Sequence, residues 1–586
     1  MAIRRGVGLV LALVLVACFV SFGGLLAVWL LVGGEPTVPS RSTLILRVDG
    51  DPVEGGPDDG FAQFLPVRRA HSIRMLVENI RKAKVDRRVA AMVVRPSGLA
   101  SPYSAKIQEL RDAILDFRHS GKPVVAYLED GDQIDYYLAT ACDRIFLLPS
   151  SPLQLIGSAS YEIFLRGTLD KVGAYPDLMH IGAYKTASNQ LTEKTFTAAH
   201  REMAQSLNDE NYDQLVKAIA DGRKKSESDV RTLVDEGPYL PEDALGVGLI
   251  DDLAYEDQIG EKGKIPYGRG KTLELDEYDR VSATSLGLGR GPRIAVIYAS
   301  GTIVSGRSGY DPLNGAVLGS DTLIDYIRKV REAGDIKGIV LRIDSPGGSA
   351  AASDAIWREL VLMRDARPDR PFVVSMSDLA ASGGYYMAMA APEIVAEPGT
   401  LTGSIGIFGG KFVTGGVFAK VGANVEGVSR GAHADMNSPT RPYTDAERAK
   451  MGQQLQAFYD RFVERVAASR HMAPERVDAL AQGRVWTGRQ ARQNGLVDDI
   501  GGLDRAVALI RQKARLPGTE VELVVYPARK SFYEMLTSQF SGSDEQLRLA
   551  ALLGIPERRA LGRVTAPWTL FRKGEALALM PFGLLR

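Results

Sequence analysis

The chain contains much of itself twice, and that duplication constrains its fold more than any other feature. Tyr136-Tyr137 recur as Tyr385-Tyr386, Ala139 as Ala388, Pro149 as Pro398, Ile156-Gly157 as Ile405-Gly406 and Gly182-Ala183 as Gly431-Ala432, all at an offset of 249. Farther along, Tyr212 recurs as Tyr459, and Gly248-Leu249 with Asp251-Asp252 recur as Gly495-Leu496 with Asp498-Asp499, at an offset of 247. The opening segments agree as well, since residues 44–48 with Gly50 resemble residues 294–298 with Gly301. Chance identities would scatter over many offsets. The period is far too long for a solenoid, so each copy must enclose its own core. The expected division is an N-terminal segment over 1–40, a first copy over 41–260, a linker over 261–290, a second copy over 291–507 and an extension over 508–586.

Within each copy, short β-branched runs alternate with helical patterns. Residues 89–95, 123–127 and 144–148 in the first copy, and 338–343, 371–376 and 393–396 in the second, predict strands. Residues 107–118 and 352–364 predict helices between them, which gives an α/β fold with a mostly parallel sheet. Longer amphipathic helices are expected over 198–221 and 445–469, the latter with Phe458, Phe462 and Val466 on one face. Because 71 basic residues balance 71 acidic ones, the chain lacks the cationic surplus that nucleic-acid binding runs on. Two cysteines, Cys18 and Cys142, exclude a disulfide scaffold and a cysteine-built zinc site, and six scattered histidines without an HExxH pattern argue against a metal centre. No cofactor is expected.

Residues 6–34 carry no charge and are rich in Leu, Val, Ala, Phe and Gly. At about 1.5 Å per helical residue, that length spans a bilayer core. Arg4 and Arg5 precede the segment and Glu35 follows it, so the positive-inside rule places a short tail in the cytoplasm and the body outside. The expected location is the bacterial inner membrane, single-pass, with the body in the periplasm. A lipoprotein signal at Leu15-Val16-Ala17-Cys18 and a cleaved signal peptide are the rival readings, and apolar sequence running on to Val32 counts against both. Residues 526–586 lie outside the repeat and receive no role, although Trp568, Phe571, Met580 and Phe582 stand there among basic residues.

The chemistry concentrates in the second copy. Asp344-Ser345-Pro346-Gly347-Gly348 lies between a strand and a helix, where small residues let the backbone turn and expose amide N–H groups to an oxyanion. Asp378-Leu379-Ala380-Ala381-Ser382-Gly383-Gly384-Tyr385-Tyr386 also follows a strand, which puts Ser382 at a helix start with the Gly383 amide beside it. A nucleophilic serine needs a base. No histidine is close in sequence, with His433 the fallback, and a lysine serves if burial keeps it neutral. Lys185 stands in the small, apolar run Ile181-Gly182-Ala183-Tyr184-Lys185-Thr186-Ala187. At the common offset, Ser382 faces Gln133 and Lys185 faces Ala434, so each copy holds one partner and lacks the other.

Together the apolar N-terminal segment, the tandem repeat, Ser345-Pro346-Gly347-Gly348, the Asp378–Tyr386 run, Leu401-Thr402-Gly403-Ser404-Ile405-Gly406-Ile407 and Gly182-Ala183-Tyr184-Lys185-Thr186-Ala187 resemble the signal peptide peptidase A family in its long, duplicated form, also called protease IV. The resemblance covers about residues 44–507. It implies tandem ClpP/crotonase-like domains and a Ser–Lys endopeptidase, with Ser382 as nucleophile, Lys185 as general base and Ser404 orienting the lysine amine. It further implies Gly347 and Gly383 as oxyanion donors, remnant signal peptides as substrates and a homotetramer. The first copy reads Arg95-Pro96-Ser97-Gly98 where the second has Asp344-Ser345-Pro346-Gly347, so no complete second site is expected. Two other classes share parts of this pattern: a crotonase-like acyl-CoA enzyme, which needs no Ser–Lys pair, and a catalytically inactive envelope scaffold.

Overall fold

The computed structural model describes residues 36–54, 71–101, 103–311, 315–516, 518, 520–527, 576–580 and 584–585. The expected membrane segment and Cys18 lie outside these residues. No helix among the described residues is long and apolar enough to cross a membrane.

The first copy builds a parallel sheet in the order Asp252–Leu253, Arg144–Leu147, Val124–Leu128, Val89–Ser97, Ser42–Asp49, Thr272–Glu274. Its central strands are continuous apolar runs, with Met92, Val93 and Val94 all buried, as a sheet covered on both faces requires. The second copy repeats the plan. Arg293–Ser300, Ile336–Ser345 and Phe372–Ala381 form its parallel centre, and Leu401–Gly403 then leads to an antiparallel edge at Val485–Thr487. Each copy has a separate core, as a duplicated globular unit should.

The stretch between the copies is more than a tether. Thr272–Glu274 pairs with the opening strand Ser42–Asp49, and Leu273, Leu275 and Tyr278 are buried behind it. Glu522–Tyr526 pairs with the opening strand Arg293–Ser300 in the same way, so each repeat extends past the boundary that sequence matching gave it. A strand of three to five residues at a sheet edge carries too little pattern to be read from sequence alone.

Backbone pairing also corrects one comparison of the copies. Gly50 N–H donates to Ser97 O as Gly301 N–H donates to Asp344 O, and Met92 N–H donates to Pro123 O as Ile339 N–H donates to Pro371 O. Ser97 thus corresponds to Asp344 and Arg95 to Arg342, two residues away from the register that set Arg95 against Asp344.

The long helices run from Ala198 to Arg223 and from Asp445 to Arg470. The second begins with a capping box between Thr444 and Glu447, which satisfies amides the helix itself leaves free. Its inner face carries Met451, Leu455, Tyr459, Phe462 and Val466, with Phe458 stacked on Tyr386. A further sheet joins the copies. Tyr175–Ile181 of the first runs antiparallel to Ile407–Val413 of the second. On the other side of Ile407–Val413 lies Leu577–Leu579, which also pairs antiparallel with Gly347–Ser349.

Candidate active site

Ser382 stands where the strand Phe372–Ala381 breaks into the helix Gly383–Ala388. Its backbone is held at φ 54°, ψ −110°, a conformation a side chain rarely adopts. Neighbours hold it there: Ser382 N–H donates to Gly403 O at 2.8 Å, and Ser382 O accepts from Tyr386 N–H at 2.8 Å. The sharp turn aims Oγ out of the sheet toward the first copy.

Lys185 comes from that copy. It follows the strand Tyr175–Ile181, whose pairing with Ile407–Val413 fixes its height relative to Ser382 and Ser404. The chain then turns at Gly182, where a Cβ would sit 2.4 Å from the Gln482 carbonyl carbon, and Tyr184 N–H donates to Gln482 O at 2.7 Å. Lys185 Nζ reaches Ser382 Oγ at 2.7 Å, Ser404 Oγ at 3.0 Å and Ser404 O at 3.0 Å. All three side chains are buried. Burial drives the lysine well below its ordinary pKa, and no carboxylate opposes it. The amine has three polar contacts, Ser404 O, Ser404 Oγ and Ser382 Oγ, with no carboxylate among them.

Gly347 and Gly383 lie face to face beside the serine. A Cβ on Gly347 would be 2.7 Å from Gly383 N and 2.1 Å from Ala578 O, and Gly347 is at φ +100°, so only glycine fits. Gly383 opens its helix, so its N–H has no acceptor within that helix. Gly347 N–H donates to Ser345 Oγ at 3.2 Å, a long bond.

Among the described residues, the corresponding positions form no second such cluster. Gln133, at the serine's place, uses its side chain to hold the loop at Ile156 and Gly157. Ala434, at the lysine's place, is exposed, as is His433. Among the described residues no group of acidic, histidine or cysteine side chains is arranged to hold a metal ion.

Two features beside the site escaped sequence reasoning. One is a charged seam between the copies. Arg342 meets Glu54 and Glu109 of the first copy, and Lys106 of the first copy meets Asp344 and Asp378 of the second. Asp344 and Asp378 open the two glycine motifs near the ends of the strands Ile336–Ser345 and Phe372–Ala381, and two acids packed at the boundary between the copies ask for a cation. The other feature is the strand Leu577–Leu579, too short to carry a pattern.

Comparison with known proteins gives this arrangement a family. The family model described as Peptidase family S49 matches residues 116–265 and 364–517, once in each copy. The chain belongs to peptidase family S49. It is of the long, duplicated signal peptide peptidase A type, a serine-type peptidase. The S49 chain is 38% identical over 467 residues to "Serine protease SPPA, chloroplastic" of Arabidopsis thaliana, covering 78% of this chain and 68% of the relative. It is 32% identical over 523 residues to "Protease 4" of Salmonella typhi, covering 87% of this chain and 82% of the relative. A "Protease 4" of Haemophilus influenzae is 30% identical over 506 residues, with 81% and 79% covered.

Proposed function

We propose that this S49 chain is a Ser–Lys endopeptidase that cleaves extended, apolar peptides, remnant signal peptides among them. The observation that carries the reading is the 2.7 Å approach of a buried lysine amine, free of any carboxylate, to the Oγ of a serine on a strained turn. Lys185 takes the Ser382 proton as Oγ attacks the peptide carbonyl. The Gly383 amide, with Gly347 across from it, stabilises the tetrahedral oxyanion, and Lys185 returns the proton to the departing amine. A water, deprotonated by the same amine, then releases the acyl group from Ser382. Ser404 holds the amine in line through its hydroxyl and its carbonyl.

The groove between Gly347–Ser349 and Ile407–Val413 supports strand addition as the mode of substrate binding. Leu577–Leu579 lies in it now, with Leu577 and Leu579 packed on Phe408 and Ala187, and Met580 N–H donates to Pro346 O at 2.9 Å. Removing residues 576–586 is therefore expected to lower KM for an added peptide several-fold. A fall in kcat without that change in KM would mean the segment braces the site instead.

On this reading the two ClpP/crotonase-like copies lie outside the bacterial inner membrane, anchored through residues 6–34, an uncharged stretch preceded by Arg4 and Arg5. The homotetramer that the family resemblance implies completes it. A serine-directed fluorophosphonate probe should label Ser382, and Ser382→Ala should abolish the label. An unlabelled, folded protein would leave the scaffold or acyl-CoA readings in place of the peptidase.

A further inference from the structure

The charged seam under the site is lopsided. Arg95, the first-copy counterpart of Arg342, is neutralised within its own copy by Glu129 and Glu256. Arg342 instead draws Glu54 and Glu109 from the other copy, together with the Ser375 and Ser377 hydroxyls of its own. Asp344 and Asp378 likewise find their cation across the boundary, in Lys106 at the start of the helix Ala105–Arg118.

Lys106 Nζ donates to Asp344 Oδ2 at 2.7 Å and to Asp378 Oδ2 at 2.9 Å, while its backbone N–H donates to Asp378 Oδ1 at 3.0 Å. Asp344 Oδ1 accepts from Leu379 N–H at 3.2 Å, which closes the ring between the ends of the two strands. Asp344 precedes Gly347 by three residues and Asp378 precedes Ser382 by four. One ammonium thus ties the loop carrying an oxyanion glycine to the strand carrying the serine. We infer that Lys106 is a positioning residue for peptide hydrolysis, a cation lent by the first copy that holds the second copy's nucleophile and oxyanion loop in register. The inference rests on the Ser382 reading above.

Electrostatics agree with the geometry. Burial disfavours the Lys106 charge, yet Asp344, Asp378 and Glu54 outweigh it and keep the ammonium protonated. Burial, with Asp378 and Glu54, pushes Asp344 up against the pull of Lys106. The charges facing the ammonium are therefore Asp344, Asp378 and Glu54, with Arg342 and Glu109 behind Glu54. Without the ammonium, the pull that opposes burial, Asp378 and Glu54 at Asp344 is gone, and the carboxylates of the two segments face each other with no cation between them.

The test uses the full chain with Lys106→Met and Lys106→Arg, an internally quenched apolar peptide and the fluorophosphonate probe. Lys106→Met is expected to lower kcat and the Ser382 labelling rate together by about 10- to 100-fold, with KM within about twofold, because misplacement of about 1 Å costs that much. The Lys185 limb that rises with pH should remain, and a falling limb that the parent lacks should join it as Asp344, already pushed up by burial and by Asp378, loses its proton without the opposing ammonium. Lys106→Arg should recover part of the rate. A folded Lys106→Met with parental kcat and pH profile would overturn the inference, and so would a loss confined to KM. If Lys106→Met does not fold, adding Asp344→Asn removes one of the two carboxylates left without their cation. That double variant should fold and stay slow, and full recovery of kcat would show that the bridge is not needed. Failure of the parent to label at Ser382 would count against the peptidase reading and not against Lys106.

Discussion

Replacing Ser382 with Ala, or Lys185 with Ala, is expected to lower kcat/KM for peptide hydrolysis by about 10⁴-fold or more while leaving the protein folded. Nucleophile and base act as one unit, so the double variant should be no slower than either single one. Ser382→Ala removes only an oxygen and leaves a turn that Gly403 and Tyr386 still hold through the backbone. The residual rate should come from the oxyanion amides and from strand binding. If Lys185→Ala keeps more than about a tenth of the activity, the base is another group, and the 2.7 Å contact has a different purpose.

The second large effect is on pH. Because burial lowers the Lys185 pKa well below the ordinary lysine value, activity should rise with pH along one limb as the amine loses its proton. The stability consequence has a definite sign. Between the folded pKa and about 10.4, the unfolded lysine binds a proton that the native one does not, so the native state loses stability as pH falls through that window. Each pKa unit of separation costs about 1.4 kcal/mol, and below the folded pKa the penalty is constant. Lys185→Met should abolish hydrolysis and raise the melting temperature at neutral pH, since Met fills similar space with no charge to desolvate. Thermal unfolding and a pH–rate profile test both halves of the expectation. A rate flat from pH about 6 to about 10, with chemistry limiting, would leave no titrating lysine in the mechanism.

Much of this arrangement is legible in the sequence, for physical reasons. Parallel strands buried on both faces need apolar runs, and the runs at residues 89–95 and 338–343 name themselves. Gly347, Ser382, Gly383 and Ser404 sit on two loops and a short strand whose geometry only small residues can meet, so they appear as compact motifs. Lys185 emerged because the copies differ there and its surroundings are apolar. Lys106 did not emerge, since a lysine at a helix start looks solvated until the fold brings Asp344 and Asp378 against it from more than two hundred residues away. The strands Thr272–Glu274 and Leu577–Leu579 were hidden for a different reason, being too short to show a period.

If Lys185 and Ser382 are the base and nucleophile proposed above, dividing them between the copies also decides when activity can exist. Lys185 and Ser382 are 197 residues apart in the chain, so the ribosome delivers the base long before the nucleophile. A growing polypeptide, or a fragment cut between the copies, should then hold half of a peptidase and cleave nothing. Competence arises only when the second copy has folded and docked on the first. On that reading the duplication itself provides a latency that other proteases obtain from a removable propeptide.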